Sequence, residues 1–226
     1  TAEGVFISGG RVNLRGLMLT ANAGGGLRWD DGWQGKGQSL IVQRGSADGP
    51  ALRGSNALNP GAGPRSFPQL YNVTAVGSGA AGPVILLERG SAALIGNGVV
   101  AGGSGPGLEI QDPATCGLPT DSLRIEHSVF FGNSPNFSVD ADCIDEEQFA
   151  TGAAFANVEA NPGLIDPASP LTPDFRPALG TVAASLNLAP PADPFFDPGG
   201  TYAGAVAPAS ITRGNIPWYA GWTVGW

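Results

Sequence analysis

Hydrophobic positions along the chain recur in short alternating runs separated by glycine corners. Four gapless octets, residues 14–21, 70–77, 95–102 and 125–132, open on Leu14, Leu70, Ile95 and Ile125. Their starts are 56, 25 and 30 residues apart, and the long interval holds a further β-rich run, Ser39-Leu40-Ile41-Val42-Gln43. That run divides it into two ordinary intervals, so the underlying period is 25 to 30 residues. Shorter alternating segments follow the glycine corners: Leu27-Arg28-Trp29, Ala51-Leu52, Val84-Ile85-Leu86, Leu108-Glu109-Ile110 and Phe137-Ser138-Val139. Apolar residues at every second position suit a strand with one buried face. Several of these segments run into an acid at the next turn: Asp30, Glu88, Asp112 and Asp140.

Short aliphatic strands repeated at this period describe a chain that stacks coil on coil. The expected fold is all-β, a right-handed parallel β-helix (solenoid) of about five coils over residues 1–142. An antiparallel sandwich would bring turn signals every 8–12 residues or so and would not generate repeats this long. Asn72, Asn97 and Ser128, with Asn22 and Asn133 at corners, recur at comparable positions. Stacked amides and hydroxyls there predict hydrogen bonds along the solenoid axis, a structural role.

Beyond residue 142 the repeat stops. Residues 145–156 predict a short helix with acids in its first turn, favourable at the positive end of the helix dipole. A Pro-rich stretch follows, yet it carries Leu164, Ile165, Phe175, Leu179, Phe195 and Phe196, too many large apolar groups for a free linker. Residues 143–226 are therefore expected to form an irregular Pro/Gly-rich wrap with an aromatic cap, packed on the same solenoid.

Composition narrows this picture. With 36 Gly and 20 Pro in 226 residues, long helices are excluded, while 42% apolar and 13% charged residues provide for one sizeable core. Eleven basic residues against nineteen acidic ones give a net charge of -8, and the scattered arginines form no footprint for a phosphate backbone, so no nucleic-acid partner is expected. The apolar runs, such as residues 83–87, are too short to cross a bilayer, which predicts no transmembrane segment. Cys116 and Cys143 cannot close a zinc site by themselves, and a disulfide between them is expected, which points to an oxidising compartment.

Candidate chemistry is sparse. His127 is the one histidine and is followed by Ser128, but neighbours on a strand point to opposite faces, so a Ser-His-Asp arrangement is not expected. Asp30 and Asp31 form the best carboxylate pair for general acid and base work, with Trp29 and Trp33 beside them as rings that could stack on a sugar. The same two aspartates also suit a turn cap. Asp140, Asp142 and Asp145 lie in an acidic cluster around Cys143 whose hard oxygens could converge on calcium as a cofactor. Trp218, Tyr219, Trp222 and Trp226 crowd the C-terminus, where glycines and Pro217 disfavour a regular helix. A hydrophobic plug or subunit interface is the expected role for these four.

The run Asp31-Gly32-Trp33-Gln34-Gly35-Lys36-Gly37-Gln38, followed by Ile41-Val42-Gln43, resembles bacterial secreted or outer-membrane, lipoprotein-type parallel β-helix proteins of uncharacterised function. Further matches are Tyr71-Asn72-Val73-Thr74, Leu86-Leu87-Glu88-Arg89-Gly90, Ser128-Val129-Phe130-Phe131-Gly132-Asn133, Asp174-Phe175-Arg176-Pro177 and Trp222. The resemblance is to the C-terminal part of such proteins, whose earlier coils carry the signal sequence and cap. Where those proteins have acids ahead of the Asp-Gly-Trp segment, this chain has Gly24-Gly25-Gly26. The resemblance implies a secreted or cell-surface location and no established reaction. With no credible catalytic set, the expected role is an extracellular structural or interaction protein whose partner is itself or another envelope protein, assembling through its solenoid ends into an oligomer or filament. The alternative is a carbohydrate-binding or polysaccharide-degrading protein that uses Asp30, Asp31, Trp29 and Trp33 on a glycan.

Overall fold

The computed structural model describes residues 3–45, 49–56, 59–139, 143–169, 172–209 and 216–221. The chain opens with β1 (Val5–Ser8), β2 (Leu14–Asn22), β3 (Leu27–Asp30), β4 (Lys36–Arg44) and β5 (Leu52–Gly54). It continues through β6 (Gln69–Val76), β7 (Ile85–Leu87), β8 (Ala93–Ala101), β9 (Leu108–Ile110), α1 (Pro113–Cys116), β10 (Leu123–Glu126) and β11 (Val129–Phe131). Then come α2 (Glu146–Thr151), β12 (Val158–Glu159), β13 (Leu164–Asp166) and β14 (Asp174–Pro177).

Successive strands alternate between two parallel sheets. The short strands form the order β1-β3-β5-β7-β9, and the long ones run from β2 through β4, β6 and β8 to β10, β11 and β12. The regular secondary structure among the described residues is mostly strand, with few helical residues, as an all-β fold requires. Leu27, Leu52, Ile85 and Leu108 share one register in the short sheet, and Phe137 extends it by an isolated parallel bridge. In the long sheet Leu14, Gly37, Leu70, Ile95 and Ile125 align, so the openings of all four octets stack on one another. The long sheet also continues past residue 142, because Val158 pairs with Val129.

One column bends the long strands. Gly16, Ser39, Asn72, Asn97 and His127 occupy equivalent positions and have φ of 62°, 60°, 55°, 55° and 47°. Left-handed backbone favours Gly and Asn, and costs Ser and His roughly 1 kcal/mol each. The amides in this column do not bond to one another along the axis. Asn72 donates to the carbonyls of Gly200 and Tyr202, and Asn97 to those of Gly200 and Leu188, so both reach sideways into the C-terminal wrap. Axial bonds do run from the Gln38 amide to Asn72 Oδ1, from the Gly98 N–H to the Ser128 hydroxyl and from Asn133 to the Val100 carbonyl.

Between the sheets lies a continuous core that includes Leu27, Trp29, Trp33, Leu40, Leu52, Leu70, Ile85, Ile95, Leu108, Ile125 and Phe130. At one end α2 lays Ala150 and the half-buried Phe149 on that core. At the other end β1 and β2 are edge strands, and Val5, Leu14, Leu17 and Leu19 are only partly buried although they belong to the same core. The outward column Met18, Ile41, Thr74, Val99 and Val129 is covered by the wrap through Phe175, Ala183, Ala203, Ala205, Val206 and Tyr219. Each large apolar side chain sealed there contributes about 1.5–3 kcal/mol.

Candidate functional site

The structure removes the sugar platform on which the alternative reading rests. Trp29 and Trp33 have 0% of their surface exposed, and their rings meet each other in the core at 6.1 Å between centroids. Their indole N–H groups are satisfied internally, by the Ser91 hydroxyl and the Val12 carbonyl respectively. Gly54 makes room for the first ring, since a Cβ there would sit 2.5 Å from Trp29 Cζ2.

Asp30 and Asp31 serve the turn rather than a cleft. Asp30 is buried and accepts from the Asp31 N–H and from Arg28, while Asp31, at φ 52°, accepts from the Ser8 hydroxyl at 2.7 Å. Neighbouring acids act alike: Asp112 caps α1 and also accepts from the Arg89 N–H, and Glu88 pairs with Arg53. Of the calcium candidates, Asp140 and Asp142 lie outside the described residues, and Asp145 is the N-cap of α2, accepting from the Gln148 N–H. Cys116 and Cys143 form a disulfide across a sequence separation of 27.

Two of the C-terminal aromatics form an internal contact. Trp218 donates to the Ala205 carbonyl, and Tyr219 donates to the Pro173 carbonyl while accepting from the Phe175 N–H. They seal the wrap against Ile41 and Met18, whereas Trp222 and Trp226 lie outside the described residues.

Three surface features present accessible chemistry. A cleft of about 390 Å³ opens where the wrap meets β2 and β4, lined by Arg15, Ser39, Arg176, Asp197, Tyr202 and Trp218, among others. Burial, followed by the nearby Asp197 carboxylate, pushes the Tyr202 phenol up to about 12, so it is a neutral donor at ordinary pH. A second, mostly apolar groove of about 450 Å³ runs past Gln43, Val76, Ala101 and Phe131 beneath Pro162 and Leu164. The third is polar: Arg11, Asn13, Gln34, Lys36, Phe67 and Gln69 line it, from three successive layers of strand. No local motif marks these clefts, because each joins residues remote in sequence.

The pectate-lyase-like β-helix domain model matches residues 2–162, which contain both parallel sheets. Comparison with curated proteins and with solved structures gives no match. Among the described residues no helix is long and apolar enough to cross a membrane. Two in-register parallel sheets, filled by one apolar core and matched across most of the chain, lead to one assignment: the chain belongs to the pectate-lyase-like β-helix domain family.

Proposed function

We propose that the protein is an extracellular or cell-surface interaction protein: a right-handed parallel β-helix of about five coils that self-associates through the edge strands β1 and β2. The observation that carries this reading is the asymmetry of the two ends. β2 is a nine-residue edge strand whose core-facing Leu14, Leu17 and Leu19 remain partly exposed, while the opposite end is covered by α2. A nine-residue strand at the sheet edge among the described residues is a template for a further strand. Two such edges, one from each copy, close in a two-fold pair. The Cys116–Cys143 disulfide supports a location outside a reducing cytoplasm, and the secreted or bacterial outer-membrane setting follows the sequence resemblance.

Light scattering coupled to size exclusion tests this directly. The expected result is a mass rising with concentration from 22.8 kDa towards twice that value. Leu19→Lys should hold the protein at the lower mass, because a charge at the edge resists strand pairing while its stem still reaches solvent. A monomer at all concentrations sinks the proposal.

A second reading, a carbohydrate-binding module, is supported by the polar groove of Arg11, Asn13, Gln34, Lys36, Phe67 and Gln69. Side-chain amides offer sugars both a donor and an acceptor, and this groove lies beside the segment whose tryptophans are buried. Glycan-array binding that Gln69→Ala abolishes would move the assignment to this reading.

A further inference from the structure

The cleft between the wrap and β2–β4 gathers polar groups that the fold leaves without partners. Four of the described arginines are ion-paired: Arg28 with Glu3 and Asp30, Arg53 with Glu88, Arg124 with Glu126, Arg176 with Asp174. Arg15 differs. Its guanidinium carbon lies 4.9 Å from the Phe195 ring centroid, and it has no hydrogen-bond or carboxylate partner among the described residues. The hydroxyls of Ser39 and Tyr202, in the same cleft, are likewise without hydrogen bonds among the described residues.

The surrounding walls are fixed. Trp218 is held by its bond to the Ala205 carbonyl and sits over Gly16, where a Cβ would come within 3.7 Å of the indole. Asp197 is anchored through its backbone N–H to Gln38 and through its carboxylate to the Gly199 N–H. Arg176 is already committed to Asp174, so Arg15 is the cation available to a ligand.

We propose that this cleft binds a small ring compound bearing one carboxylate and ring hydroxyls. The carboxylate lies on the Arg15 fork, the ring against Trp218, and the hydroxyls meet Ser39, Tyr202 and Asp197. A cleft of about 390 Å³ is of the size that takes a single such ring. The net charge of -8 gives no long-range attraction to an anion, so binding rests on the local Arg15–carboxylate pair. Sugar acids and phenolic acids share this chemistry.

Calorimetric titration of the full chain with glucuronate, 4-hydroxybenzoate, glucose and acetate tests the assignment. At least one of the two ring acids should bind saturably at one per chain, with glucose and acetate weaker by about tenfold or more. Binding of glucuronate alone identifies a sugar-acid site, binding of 4-hydroxybenzoate alone a phenolic-acid site, and either supports the proposal. Arg15→Gln should weaken the bound acid by about tenfold or more and Tyr202→Phe by about fivefold, with melting temperatures unchanged. Absence of binding by both acids, acetate binding as tightly as the acids, or wild-type affinity in Arg15→Gln would each overturn it.

Discussion

At the scale of single residues, Gly96 decides where Tyr71 can lie. A Cβ at Gly96 would sit 2.4 Å from Tyr71 Cε1, and Gly96 is the in-register neighbour of both Tyr71 and Glu126. The phenol is thereby laid across the strand towards Glu126, and burial, then that carboxylate, raises its pKa above the ordinary 10.0. A raised phenol pKa contributes stability below the unfolded value and loses it as pH climbs through the folded one. Stability should therefore fall above about pH 10, and Tyr71→Phe should flatten that alkaline limb in urea titrations at stepped pH. Gly96→Ala, by forcing the ring off this path, should cost about 1–3 kcal/mol in the same measurement. An unchanged midpoint would show that the ring has room elsewhere.

Among the elements, β13 and β14 stand apart as an antiparallel pair, and within β14 Asp174 is ion-paired with Arg176. Burial alone would raise the Asp174 pKa, but the hydrogen bonds and charge of Arg176 hold it below the usual carboxylate range. That contribution is present above the unfolded pKa and disappears as pH falls through the lowered one. Protection factors of the amides of residues 174–176, with the intrinsic pH dependence of exchange divided out, should fall in acid in the native protein, and Asp174→Asn should remove that pH dependence. The strands themselves were legible in the sequence, since the openings at Leu14, Leu70, Ile95 and Ile125 stack as the gapless octets align. Their pairing repeats a period that the chain writes out. The docking of the wrap was not legible: Asn72 reaches carbonyls 128 and 130 residues away, and a backbone carbonyl carries no residue signature. Trp29 and Trp33 were misread for a related reason. Their acidic neighbours suggest a surface, but the space that receives Trp29 is set by Gly54 on the next strand. Asn72→Leu should loosen the wrap at a cost of about 1–3 kcal/mol, seen as faster proteolysis of residues 188–205 while the strands stay protected. Equal protection in both proteins would mean that the apolar seal alone holds the wrap.

For the whole molecule, the disulfide and the wrap act on different intervals. The disulfide closes a loop with a sequence separation of 27 and ties α1 to the segment leading into α2. Chain-entropy arguments give it about 3.5 kcal/mol, so reduction should lower the melting temperature by several degrees. A melt unaffected by reductant would assign the stability of that end to packing alone. The wrap spans a wider interval. Residues 188–205 bond to Lys36 and Gln38 on β4, Asn72 and Thr74 on β6, and Asn97 on β8. A stack whose layers touch only their neighbours would peel open one layer at a time under load. Here a crosswise batten is nailed to three of them, and the Gly200 carbonyl takes a bond from both Asn72 and Asn97. Pulled along its axis, the molecule must first shed the batten and only then unstack, so its resistance to force resides in a segment with almost no regular secondary structure.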